Sequence, residues 1–191
     1  MTGGIGAGKS EALAALERLG ASVLSTDAVV HELYASAEVR DLVVERWGEE
    51  VAPGGKTDRP AVAKRAFATP EDREWLEGML WPRVGDRIWA WRKEQSARDP
   101  TPRALVVEVP LLFEAGMDAA FDATVAVVAD EAARRERAGA RGHEALDART
   151  VRQLTQEEKA ARATYTVANS GTLEALEQTL AGVLDKLHQG T

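Results

Sequence analysis

Ten residues at the start of the chain, Met1 to Ser10, read MTGGIGAGKS. Gly3, Gly8, Lys9 and Ser10 stand at the spacing Gly-x-x-x-x-Gly-Lys-Ser. Such a run cradles phosphate: glycines let the backbone curl until successive N–H groups face one centre, and the helix that follows adds its positive end. On this reading Gly4, Ile5, Gly6, Ala7, Gly8, Lys9, Ser10 and Glu11 bind a nucleoside triphosphate. Lys9 reaches the β- and γ-phosphates, and the amides of Ser10 and Glu11 face the α-phosphate. The Ser10 hydroxyl sits on a Mg²⁺ ion. A glycine-rich tail with a chance match is the plain alternative. The amphipathic stretch KSEALAALERLG, with Leu13, Leu16 and Leu19 at helical spacing, supplies the context that the motif requires.

Three further groups could do chemistry. Asp27 follows the short apolar run ASVLS, at the carboxyl end of a second strand, where open α/β sheets bind ligands. A carboxylate there can accept the proton of an attacking hydroxyl, or merely cap the helix AVVHELY. Glu108 ends the apolar strand ALVVE, where a second acidic residue holds Mg²⁺ or its waters. Arg134, Arg135, Arg137 and Arg141 crowd one segment. They read either as a lid that brings guanidinium groups over a transferring phosphate, or as a solvated helix face paired with Glu131, Glu136 and Glu144. His31 reads as a surface residue of its helix. The five tryptophans read by default as core.

These groups need a scaffold, and 191 residues with 45% apolar content can build one with a real core. ALVVEVPLLF and TVAVVA do not alternate, so they read as strands covered on both faces. Strands alternating with helices give a parallel α/β sheet with helices on both sides. The stretch 28–97 is almost purely helical and reads as an insertion. Within it, Thr69 and Pro70 mark a helix start, and Pro82 is expected to break that helix. Thr155 and Glu158 form a capping box. The expected layout is a single domain: a core of 1–27, 101–133 and 151–191, a helical acceptor region of 28–97, and a lid at about 134–150.

Composition excludes other classes. Acidic residues outnumber basic ones, 31 to 24, which argues against a general nucleic-acid binder. With no cysteine there is no disulfide or thiolate site, and a reducing compartment is permitted. No apolar run has the length of a membrane helix, and no secretory signal opens the chain. The expected location is cytoplasmic.

Taken together, the motifs resemble the dephospho-coenzyme A kinase family. TGGIGAGKS resembles its phosphate loop. GASVLSTDAVVHEL resembles the segment whose Asp-x-Asp ends a strand, and DRPAVAKRAFATPEDREWLEGMLWPRV looks like its helical acceptor region. VVEVPLLFEAGMD is similar to its Val-Pro-Leu-Leu-Phe-Glu strand. VRQLTQEEKAARATYTVANSGTLEAL resembles its Gln-x-x-x-x-x-Lys/Arg helix and Asn-x-Gly turn. The resemblance implies a P-loop kinase core that phosphorylates the ribose 3′-hydroxyl of dephospho-CoA with ATP and Mg²⁺, the last step to coenzyme A. It makes Asp27 the base, joins Arg137 and Arg141 to Lys9 as catalytic residues, and sets Asn169 near the adenine. A different small-molecule or nucleoside monophosphate kinase, or a non-catalytic nucleotide-binding protein, are the other readings.

The chain departs from the family pattern at Ser25, where the first Asp of Asp-x-Asp is usual, and at Trp81, where His precedes the proline. ATYTVAN replaces a more acidic segment. The apolar strand that normally precedes the loop is also absent from this sequence, so the first core strand is expected to lie upstream of Thr2.

Overall fold

The computed structural model describes residues 1–139 and 153–189. They form two compact units, one of 1–24 and 95–191 and one of 25–94. In chain order the elements are β1 (Thr2–Gly3), α1 (Lys9–Arg18), β2 (Ser22–Ser25), α2 (Thr26–Ala35), α3 (Ala37–Trp47), α4 (Arg59–Ala66) and α5 (Pro70–Ser96). Then follow β3 (Leu105–Glu108), β4 (Val125–Val128), α6 (Glu131–Gly139), α7 (Gln156–Arg162), β5 (Tyr165–Ala168) and α8 (Leu173–Gln189).

The first unit is built on a sheet. β1 pairs parallel with β4, Thr2 against Ala126 and Gly3 against Val127. β4 pairs parallel with β5, from Val125 against Tyr165 to Val128 against Ala168. β2 and β3 pair with each other. Met1 joins the two pieces: its amine donates to the Val107 carbonyl at 2.6 Å, and its carbonyl accepts from Val109 N at 2.9 Å. The lateral order is therefore β2-β3-β1-β4-β5. α1 and α8 pack over one core of Ala12, Ala15, Leu16, Val127, Val167, Leu176, Leu180 and Leu184. The buried positions of α8 recur at 3.6-residue spacing, so its apolar stripe faces the sheet.

Thr2 and Gly3 lie in the central position of the sheet, with Met1 completing the link to β3. The Met1 amine lies inside the sheet. Burial lowers the pKa of that ammonium from 8.0 to about 6, and the nearby Glu108 carboxylate pulls it part of the way back.

A second device secures the same region. Lys159 is fully buried on α7. Its Nζ donates to the Pro110 carbonyl at 2.5 Å and the Thr2 hydroxyl at 3.4 Å, and pairs with Glu114 Oε1 at 2.9 Å. The same Glu114 oxygen accepts from Leu154 N at 2.8 Å. One ammonium therefore ties β1, the turn after β3 and the entry to α7. That entry is fixed by the capping box, with Glu158 N donating to Thr155 Oγ1 and Thr155 N donating to Glu158 Oε2.

The second unit, 25–94, is helical. Thr69 caps α5 through Asp72 N, as expected. Pro82 does not break it: α5 runs unbroken from Pro70 to Ser96. Proline forfeits one backbone bond, to Gly78, and costs about 3 kcal/mol. Leu76, Met79, Leu80 and Val84 bury on one face either side of it and hold both halves in line. Trp47 and Trp75 meet edge to face at 5.0 Å, whereas Trp89 is 66% exposed and not core. Asp72 gathers Arg46, Trp47 and Thr69, and the Arg46 guanidinium holds its carboxyl below the ordinary value. No helix among the described residues is long and apolar enough to cross a membrane.

In a chain that begins at Met1, the unfolded amine takes up its proton near pH 8 and the folded one near pH 6. Between these values the unfolded state binds more protons, so stability rises with pH. Urea unfolding should gain about 2 kcal/mol from pH 6 to pH 8, and acetylating the amine should remove that rise. Equal pH profiles before and after acetylation contradict it. Lys159→Met should cost about 3–5 kcal/mol, because Glu114 keeps a charge without its cation. Lys159→Met with Glu114→Gln should recover part of this, and a loss under 1 kcal/mol in the single variant argues against the anchor.

Candidate active site

The phosphate loop runs from Gly3 to the first turn of α1. It reverses at Gly6 (φ 74°) and Gly8 (φ 84°), left-handed conformations that suit glycine. At Gly8 a Cβ would also collide with the Asn169 amide. Ala7 N donates to the Gly4 carbonyl at 3.2 Å and closes the turn. Lys9 opens α1, and its Nζ donates to the carbonyls of Gly3 (3.1 Å) and Gly4 (3.2 Å). Its ammonium therefore lies folded along the loop. Ser10 is exposed at the same helix end, and Glu11 is in the first turn. Loop amides, the start of α1 and one ammonium lie together here, a combination that suits a phosphate chain.

Asn169 is 2% exposed and supports the loop from below. Its Nδ2 donates to the Ala7 carbonyl at 3.1 Å and lies 3.3 Å from Glu11 Oε2. Its backbone N donates to Val128 O at 2.7 Å, which locks the end of β5 to β4. The side chain is engaged with the loop's own atoms. Gln156 works similarly on the neighbouring strand end, accepting from Ala129 N at 3.1 Å and donating to Ala129 O at 2.9 Å.

α6 leans on this loop. Arg134 Nε donates to the Ile5 carbonyl at 3.1 Å, and its guanidinium lies over Gly4. Arg137 Nη1 donates to the Asn169 carbonyl at 2.9 Å. Arg134 thus borders the phosphate loop, and Arg137 reaches the residue that supports it. Arg141, with most of the expected lid, lies outside the described residues.

Glu108 ends β3 and is 7% exposed. The next residue, Val109, bonds to Met1, so this carboxylate sits on the strand beside β1. Asp27 belongs to the helical unit. Ser25 is the N-cap residue of α2 and Asp27 is exposed in its first turn, so Asp27 is not the cap. Trp81, where the family pattern has histidine, is half-exposed on α5.

Sequence reasoning missed the part played by Lys159 and Glu114. A lysine on a polar helix gives no sign that it will be buried, because only the folded sheet brings Pro110 and Glu114 to it.

Comparison with known proteins agrees with these features. A family model described as dephospho-CoA kinase matches residues 1–175. A dephospho-CoA kinase of Deinococcus radiodurans is 40% identical over 190 residues, covering 98% of this chain and 90% of that protein. A crystal structure from Thermus thermophilus superposes with a TM-score of 0.81 at 34% identity, covering 97% of this chain and 95% of that one. The dephospho-CoA kinase of Campylobacter jejuni shares the fold, with a TM-score of 0.69 at 22% identity over 99% and 96% of the two chains. From its phosphate loop through most of its length, this chain belongs to the dephospho-CoA kinase family.

Proposed function

We propose that this enzyme transfers the γ-phosphoryl group of ATP to the ribose 3′-hydroxyl of dephospho-CoA, giving ADP and coenzyme A in the cytoplasm. The observation that carries the reading is the family's phosphate loop with Lys9 folded along it, Arg134 against it and Arg137 on the supporting Asn169. Loop amides from Gly4 to Glu11 hold the phosphate chain. Lys9 exchanges the Gly3 and Gly4 carbonyls for the β- and γ-phosphates. Asp27 orients the 3′-hydroxyl and accepts its proton as the oxygen attacks the γ-phosphorus. The bond from that phosphorus to the bridging oxygen breaks, and ADP carries away the electron pair. Arg137 and Arg141 neutralise charge spread over the transferring group. Asn169 acts chiefly by holding the loop, next to the adenine end of the site.

Ser10 and Glu108 would hold Mg²⁺. Both offer hard oxygen donors, and among the described residues no cluster of three or more His, Cys, Asp or Glu makes a dedicated cage. Magnesium suits such a site, because it takes one or two protein oxygens and completes its shell with phosphate and water. When bound it offsets negative charge on the β- and γ-phosphates.

ADP release should require dephospho-CoA, with little signal from nucleoside monophosphates or from ATP alone. Release that depends equally on a nucleoside monophosphate would move the acceptor assignment. Lys9→Ala should lower kcat about 100- to 1,000-fold, and wild-type turnover in that variant sinks the kinase reading. Asp27→Asn should lower kcat about 100-fold or more while ATP affinity stays within twofold. If kcat survives and only the melting temperature falls, the base lies elsewhere.

A further inference from the structure

Among the described residues, Lys159 is the one charged side chain with no exposure to solvent. No step of the proposed reaction uses it. As a source of stability alone, a buried ion pair such as Lys159–Glu114 is a poor choice: apolar residues of similar volume in its place are often neutral or stabilising. Its place in the fold gives it another use.

Lys159 Nζ closes a triangle. It donates to the Pro110 carbonyl at 2.5 Å and to the Thr2 hydroxyl at 3.4 Å, and that hydroxyl donates to the same Pro110 carbonyl at 3.2 Å. The two oxygens come from neighbouring strands. Thr2 precedes Gly3, the root of the phosphate loop, whose carbonyl accepts from Lys9 Nζ at 3.1 Å. Pro110 follows Glu108, the end of β3, by two residues. The backbone on either side of Glu108 is already bonded to Met1, through Val107 O and Val109 N. The triangle extends that seam by one more residue, where β3 has ended and the phosphate loop is about to begin. Glu114 Oε1 holds the same ammonium at 2.9 Å, which fixes its direction.

A side chain from α7 therefore sets the spacing between the carboxylate-bearing end of β3 and the phosphate loop. A cation shared by the two is sensitive to that spacing. Mg²⁺ demands near-ideal octahedral geometry, with oxygens at about 2.0–2.1 Å.

We propose that Lys159 is a positioning residue for the metal: through Thr2 and Pro110 it sets the separation of Glu108 from the phosphate loop, and so the fit of Mg²⁺ in the nucleotide complex. This rests on the assignment of Ser10 and Glu108 to Mg²⁺. An ammonium suits the task because its three donors reach a carbonyl, a hydroxyl and a carboxylate at once. An apolar side chain of the same volume would fill the space and hold neither strand.

The test is calorimetric titration of a non-hydrolysable ATP analogue into the wild-type chain and two variants, once with saturating Mg²⁺ and once in EDTA. The ratio of the two affinities is the gain due to the metal. Thr2→Val removes the hydroxyl corner and keeps the size of the side chain. Lys159→Met with Glu114→Gln removes the ammonium and leaves an acceptor for Leu154 N. The metal's gain should fall about tenfold in the double variant and about threefold in Thr2→Val, at the low end of what outer partners of a metal site are worth, with the EDTA affinity of both within about twofold of wild type. A role in stability alone lowers the melting temperature and leaves the ratio at its wild-type value. That ratio in both variants overturns the proposal and leaves the metal assignment standing. If the double variant does not fold, Thr2→Val decides by itself. A wild-type chain that gains nothing from Mg²⁺ overturns the proposal and the metal assignment together.

Discussion

A phosphate loop works only if its amides stay converged, and that depends on how its root is held. Here the root, Met1 to Gly3, contributes a two-residue strand between two longer neighbours. Val107 and Val109 grip Met1 from one side, and Ala126 and Val127 pair with Thr2 and Gly3 from the other. Lys159 ties Thr2 to Pro110 and Glu114, and Asn169 holds the Ala7 carbonyl. Most of these partners lie more than a hundred residues away in sequence, so the loop is shaped by long-range contacts.

The same anchors organise what surrounds the loop. Glu114 binds Lys159 and Leu154 N together, so the segment that returns after residue 152 is fixed to the turn that follows β3. Asp130 starts α6 by accepting from Ala133 N, and its own backbone N donates to Ser170. Arg134 and Arg137 then reach the loop and Asn169. Cationic side chains are thus brought to the rim by backbone that is itself bonded to β4 and β5. In the helical unit, α2 carries Asp27 in its first turn.

Much of this could be read from the sequence where the signal is local. The glycine spacing before α1, the capping box at Thr155 and Glu158, the cap at Thr69 and the apolar strands β3 and β4 each follow from a few neighbouring residues. What escaped depended on distant partners. Pro82 reads as a stop, yet the apolar face on either side of it outweighs one lost bond. Asn169 reads as part of a turn, and only the folded sheet brings its side chain to the Ala7 carbonyl. Lys159 looks like a surface lysine until the sheet closes over it. Thr2 and Gly3 carry no strand pattern of their own, and only β4 beside them makes them one.

The central claim is that side-chain anchors keep the loop ready for nucleotide. Asn169→Ala removes the anchor closest to the loop without touching Lys9 or the strands. Calorimetric titration of Mg·ATP into this variant and the wild-type chain at pH 8, with melting temperatures recorded on the same samples, reads the effect directly. The account predicts at least a tenfold loss of ATP affinity in the variant, since an unsupported Ala7 carbonyl lets the loop relax, with both chains still folded. Equal ATP affinity in the two chains would contradict it.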